Sequence, residues 1–161
     1  MSVDKKWVIF DLDGTLADIS VRRKSSEKPN GKLDWDIFFS DKLVSADKPN
    51  QPVIEMAKAL HAQGYQIAIF SGRSASSQDI TKEWLHQHNV PFNLLRMRPT
   101  VHPFKFMPDE KLKQDWFNEV FANPVDMDEA EVVAVFDDRD KVVNMWREIG
   151  LTCMQVAPGN F

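Results

Sequence analysis

The sequence lacks the features that usually stabilise a secreted protein or hold one in a membrane. It has one cysteine, Cys153, among 161 residues, which excludes an internal disulfide framework and a cysteine-based zinc cluster. No apolar run approaches the ~18 residues that a membrane-spanning helix needs, and the N-terminus has no signal-peptide pattern. We therefore expect a cytoplasmic protein with no membrane segment.

There is also no excess of positive charge. The 20 basic residues are outnumbered by 24 acidic ones, which gives a formal net charge of −4. Tight, sequence-independent binding along duplex nucleic acid usually requires a basic domain, so we do not expect it of the domain as a whole. The length suits one domain over residues 1–161, and no repeat or low-complexity linker divides it.

Short apolar runs alternate with segments of helical periodicity. The runs are rich in β-branched and aromatic residues, as expected for parallel strands that are covered on both faces. Strands are predicted at residues 7–10, 66–70, 93–95, 132–136 and 152–156. Four helices are predicted between them: one that follows Asn50 and stops at Gly64, one that carries Ile80, Trp84 and Leu85, one that opens at Pro108-Asp109 and extends to Val120, and one that carries Val142, Val143, Trp146 and Ile149 and ends at Gly150. This order predicts a doubly wound, mainly parallel, five-stranded Rossmann-like α/β sheet.

The stretch between the first strand and the first helix, about residues 18–49, departs from this alternation. It is polar and charged at first and then aromatic at Trp35, Phe38 and Phe39. A connection of this length is usually functional. We therefore predict a small cap inserted after the first strand.

Four carboxylates, two hydroxyls and two arginines follow the predicted strands. The first strand is followed by Asp11-Leu12-Asp13-Gly14-Thr15, the second by Ser71-Gly72-Arg73 and the fourth by Asp137-Asp138-Arg139. Ligands of open α/β sheets bind beyond the carboxyl ends of the strands. Clustered carboxylates repel one another, and an all-oxygen set favours a hard cation such as Mg²⁺.

The acidic residues also occur in other kinds of protein site. Each fragment alone is typical of a solvated turn in so charged a chain. A calcium loop is excluded because Leu16 and Arg22 stand where that loop requires Gly and Glu. A response-regulator receiver needs its acidic pair on the first strand and its lysine after the last, and the order here is different.

Taken together, the fragments resemble the haloacid dehalogenase-like phosphohydrolases over nearly the whole chain. The resemblance rests on D-x-D-G-T after strand one, Ser after strand two, a later Lys and D-D after strand four. It implies that Asp11 attacks phosphorus, while Asp13 first protonates the leaving oxygen and then activates water. Residues i and i+2 of a strand that leaves its pleat can both face one phosphate, and Gly14 permits the tight turn.

The resemblance also implies ligands for a metal and for phosphate. Mg²⁺ would be held by Asp11, the backbone carbonyl of Asp13 and Asp137, with Asp138 supporting it directly or through water. The phosphoryl oxygens would be bound by Ser71 and the backbone N–H of Gly72. Thr15 would cap and orient the loop.

Helical geometry distinguishes two candidate lysines for this site. Lys111 and Lys113 lie ~200° apart around a helix, so both cannot point into one pocket. Lys113 shares its side with Trp116 and Phe117 near the buried edge, whereas Lys111 faces the polar side. We expect Lys113 to be the catalytic lysine, with Asp109 four residues earlier holding it by an ion pair.

A narrower resemblance is to the phosphatase domain of phage-type polynucleotide kinase/3′-phosphatases. It is carried by residues 8–17, 64–67, 71–73, 137–139, 142–147 and 155–157, with Gly159 and Phe161. It implies substrate-binding roles for Arg22 and Arg73 and a supporting role for Asp109. No G-x-x-x-x-G-K-[ST] motif occurs in this chain, so we expect a phosphatase without a kinase domain.

The stretch from residue 84 to residue 108 bears on the substrate. It contains no carboxylate, and its cations alternate with rings: Arg96, Arg98, Lys105, three His, Phe92, Phe104 and Phe106. This composition suits an anion-facing loop with stacking rings. It suits equally well a set of core Phe side chains beside a solvated, charged face.

The leading interpretation is a Mg²⁺-dependent phosphomonoesterase that forms an aspartyl-phosphate and removes 3′-phosphates from DNA or RNA ends. The arginines would grip phosphodiesters beyond the phosphate that is removed. One alternative is a phosphatase of free nucleotides or other small phosphomonoesters. A non-enzymatic alternative is a Mg²⁺- or phosphate-dependent binding module.

Overall fold

The computed structural model describes residues 5–122 and 130–161, and its centre is a five-stranded parallel sheet. The strands are β1 (Lys6–Phe10), β4 (Gln66–Ser74), β5 (Leu94–Arg98), β6 (Glu131–Asp137) and β7 (Cys153–Gln155). Their order across the sheet is β5-β4-β1-β6-β7. The doubly wound, Rossmann-like prediction is thereby confirmed. Residues 1–4, part of the N-terminus that shows no signal-peptide pattern, lie outside the described residues.

The chain reverses its direction of travel across the sheet at β1. After β1 it proceeds outward through β4 and β5, and it then returns to form β6 and β7 on the other side. β1 pairs with β4 from Trp7 opposite Gln66 to Phe10 opposite Ile69, and with β6 up to Phe10 opposite Phe136. The strand ends beside this reversal are where open α/β sheets bind their ligands.

Four helices cover the two faces of the sheet. They are α4 (Gln51–Ala62), α5 (Gln78–Gln87), α6 (Asp109–Val120) and α7 (Asp140–Glu148). Successive residues of a strand point to opposite faces, so Val8 and Phe10 pack with α4 and α5, while Ile9 packs with α6 and α7. Burial on both faces explains why these strands have continuous apolar sequences.

The segment 18–49 is built from short elements. They are β2 (Ala17–Asp18), α1 (Ser20–Ser25), α2 (Trp35–Phe38), α3 (Asp41–Ser45) and β3 (Lys48–Pro49). β2 and β3 pair antiparallel, with Ala17 opposite Pro49, so the segment leaves and rejoins the sheet at one place. The side chain of Phe38, in this segment, packs into the hydrophobic core of the domain. Its action as a cap stays a prediction.

None of the helices in the two described ranges is long and apolar enough to cross a membrane.

Candidate active site

The loop after β1 holds Asp11 and Asp13 at the carboxyl edge of the sheet. The backbone N–H of Asp11 donates to the carbonyl of Phe136 at 2.9 Å, so Asp11 still follows the sheet, and the chain turns after it. Gly14 lies in the left-handed region at φ 84°. A Cβ there would also overlap the carboxylate of Asp138, so glycine is required for the turn and for the approach of β6.

Asp11 is buried between a lysine and a hydroxyl. Lys113 Nζ donates to its Oδ1 at 2.7 Å, and Thr15 Oγ1 donates to its Oδ2 at 3.1 Å. Burial raises the pKa of Asp11 well above its usual range, and the nearby charge of Asp137 adds to the shift. Both of its oxygens therefore have a fixed direction in a site with surplus negative charge.

Lys113 projects from α6 into the carboxylate cluster and is 2% exposed, whereas Lys111 lies on the exposed side of the helix. The Nζ of Lys113 donates to Asp11 and also to Asp137, whose Oδ2 lies 3.0 Å away. Burial alone would lower the pKa of Lys113, but the charges of Asp11 and Asp137 raise it above its ordinary value. The lysine is therefore held charged between two carboxylates.

The expected ion pair between Asp109 and Lys113 was wrong. Asp109 is the first residue of α6, and its carboxylate forms ion pairs with Arg98 from β5 and with Arg139 at 3.0 Å. Lys113 lies one turn deeper, where two buried carboxylates are already in contact with it. Asp109 thus links the ends of β5 and β6 rather than orienting the lysine.

Three carboxylates converge in a way that could hold a cation. Asp11, Asp137 and Asp138 each offer an oxygen, and these oxygens all lie within 4.8 Å of one another. Asp137 is oriented by the Asp138 N–H at 2.9 Å and by Trp146 Nε1 at 3.3 Å. Burial and the charge of Asp137 raise the pKa of Asp138 to about 6. This all-oxygen, mutually repelling set fits a hard divalent cation, which would offset its charge.

Asp13 belongs to a separate cluster with Arg22, Arg73 and Asp47. Arg22 Nη2 and Arg73 Nη2 each lie 2.6 Å from Asp13 Oδ1, and they lie 2.7 and 3.2 Å from Asp47 Oδ2. Both arginines are buried, while the Asp13 side chain is 19% exposed. Burial alone would raise the pKa of Asp13, but the charges of Arg73 and Arg22 lower it to about 2. Asp13 is therefore ionised near neutral pH.

Asp47 is the member of this cluster that the sequence did not identify. It lies between α3 and β3 and accepts from both arginines, and its own carbonyl accepts from Trp84 Nε1 at 2.9 Å. No motif distinguishes it from the other acidic residues of segment 18–49. It could be found only once the chain was folded, because its partners lie 25 and 26 residues away.

Ser71, Gly72 and Arg73 lie on the neighbouring strand. The prediction ended this strand at residue 70, but β4 continues to Ser74, with an irregular pairing to β5 between Ser71 and Ser74. Such irregularities re-aim side chains, and Arg73 reaches Asp13. Ser71 Oγ accepts from the Arg73 N–H at 3.2 Å. Since Phe10 pairs with Ile69, Ser71 lies beside the loop that carries Asp11 and Asp13.

Of the two interpretations of residues 84–108, the anion-facing loop does not fit Arg98. Arg96 and Arg98 are in strand β5. Arg98 donates to the carbonyls of Gly72, Phe104 and Met107 at 3.0, 2.8 and 2.6 Å, and it pairs with Asp109. Arg96 contacts Glu119 at 3.4 Å. Arg98 is therefore occupied by the protein itself.

The fold and this convergence of carboxylates, lysine and serine define the chain as a haloacid dehalogenase-like phosphatase, a phosphoric monoester hydrolase. The family model of the polynucleotide kinase PNKP phosphatase domain matches residues 5–161. The chain belongs to this family, as the narrower resemblance predicted.

Individual relatives agree with the family. The chain is 31% identical over 144 residues to the "Putative bifunctional polynucleotide kinase/RNA ligase" of Autographa californica nuclear polyhedrosis virus, covering 88% of this chain and 18% of that protein. It is similar to a chain of the Pnkp1/Rnl/Hen1 RNA repair complex, with a TM-score of 0.74 and 31% identity over 97% of this chain and 43% of that one. It thus spans less than half the length of both.

A more distant structure agrees in fold alone. A hydrolase from Streptococcus pneumoniae TIGR4 has a TM-score of 0.59 and 13% identity, over 94% of this chain and 92% of that one. At this identity only the shared architecture carries weight.

Proposed function

We propose that this chain removes 3′-phosphates from nucleic-acid ends through an aspartyl-phosphate on Asp11, with Mg²⁺ as its cofactor. The observation that supports this most strongly is the position of Asp11, held by Lys113 at 2.7 Å and Thr15 at 3.1 Å beside Asp137 and Asp138. A nucleophile needs a fixed direction of attack, and a phosphoryl group needs positive charge nearby.

In the first step, an oxygen of Asp11 forms a bond to phosphorus and the bond from phosphorus to the ester oxygen breaks. The leaving oxygen takes a proton from the Asp13 carboxyl, so that an alcohol departs and Asp11 carries an acyl phosphate. Ser71 and the backbone N–H of Gly72 bind the phosphoryl oxygens. Thr15 and Lys113 keep the two oxygens of Asp11 in place.

In the second step, Asp13 accepts a proton from a water molecule whose oxygen bonds to phosphorus. The bond between phosphorus and Asp11 breaks, inorganic phosphate leaves, and the Asp11 carboxylate is regenerated. Asp13 is suited to this step because Arg73 and Arg22 keep it ionised. For the first step it must carry a proton, which we infer it gains when the arginines turn towards the phosphates of the substrate.

Mg²⁺ would be held by Asp11, Asp137, Asp138 and the backbone carbonyl of Asp13, and would neutralise charge on the phosphoryl oxygens.

The single cysteine, Cys153, is buried, which is compatible with the cytoplasmic compartment that we expect.

The nucleic-acid substrate rests on the family and on the arginines. The relatives' names refer to a polynucleotide kinase/RNA ligase and to an RNA repair complex, and we extend this substrate class to the present chain. Arg22 and Arg73 lie at Asp13 and could move to phosphodiesters of a strand. A phosphatase of free nucleotides is the second candidate, because the internal contacts of Arg98 remove one cation from the expected basic track.

The test is a comparison of substrates. The purified protein would be assayed with Mg²⁺ or EDTA on 3′- and 5′-phosphorylated DNA and RNA oligonucleotides, a 3′-mononucleotide and an aryl phosphate. We expect Mg²⁺-dependent release of phosphate, with the highest kcat/KM on 3′-phosphorylated oligonucleotides. Equal use of both ends and indifference to chain length would favour the free-nucleotide phosphatase. Binding without any turnover would favour a binding module.

A further inference from the structure

An exposed aromatic turn follows β5 at the same edge of the sheet as the candidate active site. Residues 101–106 include a short 3₁₀ turn, Phe104–Phe106, and they bring Val101 and both Phe side chains to the surface. Phe106 is 78% exposed and Phe104 is 36% exposed. A cluster of exposed apolar side chains beside a site is typical of a binding surface.

These two rings differ from the exposed aromatic residue in segment 18–49. There Trp35 packs against Phe38 and Phe39, with ring centroids 5.5 and 5.9 Å apart. Among the residues that the structure describes, the ring–ring contacts involve neither Phe104 nor Phe106. The face of the Phe106 ring that Lys105 does not cover is therefore available to a flat partner.

Arg98 fixes this turn against the wall of the phosphate site. Its Nε donates to the carbonyl of Gly72, and its Nη1 donates to the carbonyls of Phe104 and Met107. The turn is thus one guanidinium group away from the backbone that would bind phosphoryl oxygens. In a nucleotide, a single sugar separates the terminal phosphate from the base. The sugar and the guanidinium group are of similar size, so a base could reach the turn while the phosphate lies beside Gly72.

The charge next to the ring indicates the kind of partner. Lys105 Nζ lies 5.5 Å from the centroid of the Phe106 ring. A cation beside an exposed ring is the combination with which proteins hold single-stranded nucleic acid, the cation meeting the backbone and the ring stacking on a base. A purely apolar partner would leave the lysine without a role.

We propose that Phe106, supported by Lys105 and by the hold of Arg98 on the turn, stacks on one of the last two bases of a strand whose 3′-phosphate lies beside Gly72. This rests on the proposed function, whose substrate it refines. Selectivity for an oligonucleotide over a small phosphate ester would then come from a surface outside the reacting groups.

The experiment compares Phe106→Ala and Phe106→Trp with a control, Met56→Ala. Met56 is 49% exposed on α4 and has no part in the site. Each protein would be assayed on three substrates. These are a 3′-phosphorylated oligonucleotide, a strand of the same length with abasic sugars at its last two positions, and an aryl phosphate. A strand with 2-aminopurine at the last two positions would report stacking directly by fluorescence quenching.

We expect Phe106→Ala to lower kcat/KM on the oligonucleotide about tenfold, because loss of base–aromatic stacking typically weakens binding by about five- to 150-fold. Activity on the aryl phosphate and on the strand without bases should change less than about twofold, as in the control. Phe106→Trp should retain activity and quenching, since a larger ring stacks at least as well.

Two results would overturn the proposal while leaving the phosphatase assignment intact. One is an unchanged kcat/KM on the oligonucleotide for Phe106→Ala, with unchanged quenching. The other is an equal loss on all three substrates, which would indicate a structural role for the ring. A wild-type protein that does not prefer 3′-phosphorylated oligonucleotides would overturn both the proposed function and the stacking surface.

Discussion

Asp11 and Asp13 are two residues apart and have opposite electrostatic surroundings. Burial and two neighbouring carboxylates raise the pKa of Asp11, whereas Arg73 and Arg22 overcome burial and lower the pKa of Asp13 to about 2. Attack on phosphorus requires an ionised Asp11, which a bound divalent cation would favour, and protonation of the leaving oxygen requires Asp13 to gain a proton once the arginines turn to the substrate.

We predict that Asp11→Asn abolishes turnover, because an amide is a poor nucleophile and a poor ligand for a hard cation. Asp13→Asn should be nearly as severe. With an aryl phosphate whose leaving group needs no protonation, this variant should still form phosphoenzyme and accumulate it. Rapid-quench assays with labelled substrate measure both effects. Asp115→Asn, on the exposed side of α6, is the control. Near-normal turnover by the Asp11 variant would be incompatible with the covalent mechanism.

A second prediction compares the two lysines of α6. Lys113→Ala leaves Asp11 and Asp137 without their shared buried cation, so we expect kcat to fall at least about a hundredfold. Lys111→Ala removes an exposed lysine of the same helix and should change kcat by less than about twofold. Steady-state kinetics on an aryl phosphate checks the ranking, and the opposite order would refute the placement.

At the scale of elements, the sequence predicted what depends on local pattern and missed what depends on distant partners. The strands and helices were predictable because continuous apolar runs and helical spacing are local signals. The extension of β5 through Arg96 and Arg98 was not predictable, because a segment rich in charged residues is more typical of a loop than of a strand. The attachment of Asp109 to Arg98 and Arg139 depends on two strands meeting, which no spacing along α6 reveals.

The segment 18–49 contributes to the site through Arg22 and Asp47. We predict that Asp47→Ala lowers the melting temperature by roughly 5–10 °C, since it removes a buried partner of two guanidinium groups at a cost of about 3 kcal/mol. It should also lower kcat, because Arg22 and Arg73 would lose the carboxylate that positions them for the phosphates of the substrate. Asp41→Ala, an exposed change on α3, should do neither. Calorimetry and kinetics on the two variants measure the difference.

At the scale of the whole molecule, the site is a source of instability when it holds no cation. Asp11 and Asp138 have folded-state pKa values above their ordinary values, that of Asp138 being about 6. The folded state therefore binds more protons than the unfolded state, and these two groups make the protein more stable as the pH falls from above 6 towards 4. Asp13, with a pKa of about 2, has the opposite effect only below about pH 4.

We therefore predict that in EDTA the melting temperature is higher at pH 5.5 than at pH 7.5, and that Mg²⁺ raises it mainly at pH 7.5. Asp138→Asn should raise the melting temperature of the metal-free protein at pH 7.5 and remove most of the Mg²⁺ effect. The difference between the wild-type and Asp138→Asn melting temperatures at each pH separates the contribution of these carboxyl groups from that of the histidines. A wild-type melting temperature that is unaffected by Mg²⁺ at pH 7.5 would exclude these carboxylates as a metal site.

The antiparallel pairing of Ala17 with Pro49 has an evolutionary consequence. Because the two ends of segment 18–49 meet, the segment is a closed excursion from the sheet, and its length can change without moving β1 or α4. Relatives could exchange this segment for longer or shorter ones while keeping the same reaction. The exchange would be constrained at two points, since any replacement must still present an arginine to Asp13 and a carboxylate to that arginine. Apart from these two positions, the segment can therefore diversify as a module, and substrate range can evolve there.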